Sequence, residues 1–143
     1  MVVNQQGRPV EFLCTEPVTL SRAEEILYGA TLRADLFGSR IVPALFAQLA
    51  EGVDVVLAED QETLGAARDA GGAIGLVTTD EEGRAVVALQ ARAHLAPEAN
   101  ARLAQLAESI ELDEPFDRVR LAMEEAHRVG QDPTSEEADA AKQ

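Results

Sequence analysis

Chemically reactive side chains are scarce in this chain. Its 143 residues include two histidines (His94, His127), one cysteine (Cys14), one tyrosine (Tyr28), one lysine (Lys142) and no tryptophan. One cysteine cannot close an internal disulfide. No C-x-x-C or H-E-x-x-H spacing occurs, so the metal and thiol chemistry those spacings build is not encoded. No serine or cysteine nucleophile has a base at a recognisable spacing. Cys14 lies in an apolar, strand-like run and is expected to be a buried, inert thiol.

Long apolar runs are also missing. None reaches the ~18–20 residues of a membrane span. The N-terminus has no basic segment followed by an apolar one, so no signal peptide is expected. These features together point to the cytoplasm of a bacterium or similar cell.

Positive charge is the next scarcity. Twelve basic residues face 26 acidic ones, for a net charge of −14. Residues 1–50 carry four basic and five acidic side chains (−1), residues 51–100 three and ten (−7), and residues 101–143 five and eleven (−6). Such a field repels phosphate backbones and anionic headgroups. With no basic stripe and no aromatics interleaved with arginine, neither nucleic acid nor membrane is an expected partner. The near-neutral first third is the place where a protein partner, or a second copy of the chain, would dock.

What remains is enough for one domain with a core mainly of Ala, Val, Leu and Ile, because apolar residues make up 46% and aromatics only 3%. Met1–Val3 and Val10–Cys14 read as two strands joined by the polar loop Asn4 to Pro9. A strand at the very start suggests an edge strand or a lost N-terminal extension. Ser21-Arg22-Ala23-Glu24 is a capping box for a helix that stops at Gly29. A short turn from Thr31 stops at Gly38, and a longer helix runs from Ser39 to about Glu51. Val53–Ala58 is a buried strand, Asp60 caps a helix over 61–70, and Ala73–Thr78 is a second strand. This makes a βαβ unit with parallel strands. Asp80–Gly83 is a turn into an antiparallel strand from Arg84 to about Ala93. Helices follow from Pro97 to Ile110 and from Asp113 to Gly130. Residues 131–143 are acidic and lack large apolar side chains, so a disordered tail is expected after a domain spanning 1–130. The order suggests a single α+β domain with one mixed sheet of about five strands and helices packed on it.

Three constellations merit testing. Parallel strands place Glu59 and Asp60 on the same sheet edge as Thr78, Thr79 and Asp80, where ligands of open α/β sheets bind. Carboxylates with a threonine hydroxyl suit Mg²⁺ or Mn²⁺, and through it a phosphate. The competing assignment makes Asp60 a helix cap and Asp80 a turn residue. Arg92 and His94 share a strand face with Gln90 and offer an anion contact; the competing and commoner assignment is an ordinary wet strand face. Tyr28, Phe37 and Phe46 lie in the near-neutral helical region and form a candidate partner surface, or else core. The glycines Gly71, Gly72 and Gly75 follow a helix and precede a strand, the reverse of a phosphate-binding loop.

The resulting reading is a non-catalytic domain acting by protein contact, as a homodimer or adaptor, with no cofactor. The alternative is a metal-dependent enzyme or binding protein for a small phosphorylated molecule at Glu59, Asp60 and Asp80.

Overall fold

The computed structural model describes residues 1–68 and 72–131. The chain opens with a small antiparallel pair, β1 (Val2–Val3) and β2 (Pro9–Glu11). Asn4 builds the turn between them: its Oδ1 accepts from the Gln6 and Arg8 N–H groups, each at 3.0 Å. Gly7 takes a left-handed φ of 72° there, with the Ile110 side chain packed where a Cβ would stand.

A nearly continuous helical run follows. It comprises α1 (Arg22–Tyr28), a 3₁₀ turn at Gly29–Thr31, α2 (Leu32–Asp35), a π-helical segment at Leu36–Ile41 and α3 (Val42–Gln48). The capping box forms as expected, with the Ser21 hydroxyl accepting from the Glu24 N–H and Glu24 accepting from the Ser21 N–H. Gly29 ends α1, but Gly38 lies inside the π-helical segment and ends nothing. The run therefore bends rather than breaking into separate helices. Arg40 holds the bend, pairing with Glu24 at 3.1 Å and Asp35 at 3.3 Å.

The βαβ unit is present. β3 (Val55–Ala58) runs parallel to β4 (Ala73–Thr79), with α4 (Gln61–Ala67) between them, and β5 (Ala85–Gln90) returns antiparallel. Val42, Ala58, Leu64, Ala67 and Ile74 form the buried core between sheet and helices, with Phe37 and Phe46 packed against it. On the opposite sheet face Gly75 is flanked by Leu57 and Val87. Beyond β5 come α5 (Ala96–Ala107) and α6 (Glu114–Gln131).

The α+β class holds, but the strands do not form one sheet of five. They form two sheets, β1–β2 and β3–β4–β5. The hairpin is tethered by a side chain instead of a ladder: Glu11 accepts from the Ala50 N–H at 3.3 Å, just past α3. β5 is shorter than expected because the Arg92 carbonyl accepts from the N–H groups of Leu95 and Ala96, turning the chain into α5. α6 runs through Gly130 to Gln131, and the rest of the expected acidic tail, 132–143, lies outside the described residues, as does Gly71.

Candidate contact surface and apolar cavity

The carboxylates at the sheet edge are engaged locally. Asp60 caps α4, accepting from the Thr63 N–H and hydroxyl, each at 2.8 Å. Burial pushes its pKa up, but these Thr63 bonds and the Arg33 charge outweigh it, and the net shift is downward. Asp80 accepts from the N–H groups of Arg84 (2.9 Å) and Glu82 (3.0 Å) and pairs with the Arg84 guanidinium at 2.9 Å. The Arg84 N–H above all holds its pKa low. Glu59 pairs with Arg120 of α6.

The shared edge does not make these groups one cluster. Ala58 sits beside Leu76 in the parallel register, so Glu59 comes level with Val77. Asp80 lies three residues further on, roughly 10 Å at the usual rise per residue. Thr78 is exposed. Among the described residues, no three His, Cys, Asp or Glu side chains come together as a metal site.

Arg92 and His94 lie past the end of β5, in the turn that leads to α5, so they do not share a strand face with Gln90. Both side chains are exposed.

The three aromatics separate. Phe37 and Phe46 are half-buried against the core, and Arg33 lies 5.1 Å from the centre of the Phe37 ring. Tyr28 is 37% exposed, with Arg40 at 5.9 Å from its ring centre. Tyr28 ends a run that also exposes Ile26 (65%) and Leu27 (83%). Further exposed apolar side chains are Val10, Phe12 and Val18. The expectation that Cys14 is buried is therefore overturned. Val10, Phe12 and Cys14 face solvent, while Glu11 and Leu13 are half-buried, so Cys14 is an exposed thiol. Period-2 patterning marks an apolar face but not the side on which the core lies.

Composition did not reveal a cavity of about 710 Å³ beside β3. Its walls are mostly aliphatic and come from β1, α3, β3, α5 and α6, including Val2, Leu49, Val55, Leu57, Leu106 and Phe116. β3 is an edge strand of its sheet, so its unpaired side is where the expected fifth-strand contact is missing. Arg102 also lines the cavity. Its Nη2 pairs with Glu98 at 3.1 Å, and its buried Nε faces Asp54 Oδ2 at 3.3 Å, an ion pair without hydrogen-bond geometry. No sequence signal marked Arg102, because its role comes from a contact with Asp54, 48 residues earlier in the chain.

No described helix is long and apolar enough to cross a membrane. No protein-family model matches the chain, and neither the curated proteins nor the solved structures include a significant match to it.

Proposed function

We propose that this chain is a non-catalytic module of the bacterial cytoplasm that acts by protein contact, with a second copy of itself as the partner. The carrying observation is the position of its exposed apolar side chains. Of the nine large apolar side chains most exposed among the described residues, six fall between residues 10 and 28. Three of these, Ile26, Leu27 and Tyr28, are consecutive, and contiguous exposed apolar surface marks interaction sites in soluble proteins.

Charge favours a second copy and selects the face. Residues 51–143 carry −13 and residues 1–50 carry −1. Two copies meeting through their acidic parts would repel, whereas their first thirds approach with little net charge. The carboxylates Glu59, Asp60 and Asp80 supply no competing metal reading, since each is already held by a cap, a turn or an arginine.

Sedimentation velocity over a rising concentration series tests the reading. The native chain is expected to self-associate, and Leu27→Glu, at the most exposed apolar position, is expected to be monomeric with an unchanged far-UV circular dichroism spectrum. Cys14 gives a second readout: a bismaleimide should cross-link native pairs and leave Leu27→Glu largely uncoupled. A native chain that stays monomeric at high protein concentration overturns the proposal.

A further inference from the structure

We propose that the free edge of β5 is a second self-association surface, through which pairs formed on residues 10–28 join by antiparallel pairing of β5 with β5 of another pair. Pairing on residues 10–28 comes first, and the assignment rests on that reading, because one six-residue strand contact is too small to hold two lone copies. Two pairs that meet through both of their β5 edges make the contact twice, the second time within one assembly.

β5 ends the order β3–β4–β5 and has no partner on its outer side among the described residues. Edge strands are ordinarily blunted by charge, proline or a bulge, and Ala85–Gln90 carries none of the three. The Asp80 N–H donates to the Arg84 carbonyl at 2.9 Å, which sets the alternation of the ladder. Arg84, Val86, Ala88 and Gln90 turn their backbone groups toward β4, so those of Ala85, Val87 and Leu89 point outward. An antiparallel copy centred on Val87 sets Val87 opposite Val87 and Ala85 opposite Leu89. All three outward residues then find partners.

Charge selects a second copy in this register. Residues 80–95 hold Asp80, Glu81 and Glu82 against Arg84 and Arg92, for −1, so most of the acidity of the last two thirds lies elsewhere. The three carboxylates precede the strand and Arg92 follows it. Arg84 pairs with Asp80 and Glu82 but offsets only one charge, so the turn stays negative. Antiparallel pairing brings Glu82 of each copy to Arg92 of the other, both exposed, and sets Arg84 against the uncharged Gln90. Centring on Ala88 would instead set Arg84 against Arg92.

Sedimentation equilibrium of the full chain is expected to show assemblies of four chains at the top of a concentration series. Ala85→Pro removes an outward N–H at the first residue of an edge strand, where proline is tolerated. It should stop assembly at the pair, with an unchanged circular dichroism spectrum. Glu82→Arg should stop it there too, although it lowers the net negative charge and so relieves general repulsion. Adding Arg92→Glu to that variant restores opposite charges and should restore the larger assembly. A native chain that pairs and goes no further overturns the β5 contact alone. One that never pairs overturns the contact together with the reading on which it rests. Assemblies of four that persist in both Ala85→Pro and Glu82→Arg place the second contact elsewhere. A double variant that stays at the pair overturns the register through Glu82 and Arg92.

Discussion

A methyl group added at Gly75 would stand 2.6 Å from Val87 Cγ1 and 2.8 Å from Leu57 Cδ2. Gly75 is buried on the central strand of its sheet, so those side chains have little room to retreat. Gly75→Ala is expected to cost roughly 1–3 kcal/mol, the usual range for an overpacked core. Val87→Ala removes the nearer obstacle, so the double variant should lose less than the sum of the two single losses. Urea unfolding of the four proteins checks this, and strict additivity would mean that the contact is not the cause. The cap at Asp60 and the turn at Asp80 were legible in the sequence. Each depends on residues no more than a few positions away. Cys14 was not legible in this way. The alternation along Val10–Cys14 is the same whether the apolar face points in or out, and only the long-range placement of that segment decides it.

The helical and strand elements show the same division between local and distant causes. α4 begins where Asp60 can accept from Thr63, and that signal lies within four consecutive residues. Asp60→Ala should destabilise the protein by about 1 kcal/mol, and Asp60→Asn or Asp60→Ser should recover most of that, because both still accept from the N3 amide. An equal loss in all three variants would assign the effect to the charge that faces Arg33 instead. The parallel pairing of β3 and β4 was also legible, since a strand, a short helix and a strand admit few arrangements. The π-helical segment was not. Gly38 and Ser39 read as a stop and a restart, but the pairing of Arg40 with Glu24 and Asp35 keeps the chain helical through them. The five strands divide into two sheets for a similar reason. Whether a hairpin joins an edge strand depends on what lies between them, and here a cavity does.

Over the whole molecule, two electrostatic effects oppose one another as pH falls. At neutral pH a net charge of −14 on 143 residues repels itself in the compact state. Added salt screens that repulsion and should raise the melting temperature at pH 7. Acidification toward the isoelectric point near 4.4 relieves it as well. Against this stand three carboxylates whose pKa is lowered in the folded protein. Glu24 is lowered by the Ser21 N–H and hydroxyl and then by Arg40, Asp60 by Thr63 against its burial, and Asp80 by Arg84 first of all. A lowered folded value means that the unfolded chain takes up the proton first. The stabilisation is therefore complete above the ordinary carboxylate range of roughly pH 4 and is lost as pH falls through the folded values. Stability should thus hold or rise slightly from pH 7 to about 5, then fall below about 4. A thermal melt series across these pH values, at low and high salt, checks both halves. In the triple variant Glu24→Gln, Asp60→Asn, Asp80→Asn the acid limb should flatten while the salt response at pH 7 remains. If the native acid limb persists in that variant, other carboxylates govern the acid stability of the chain.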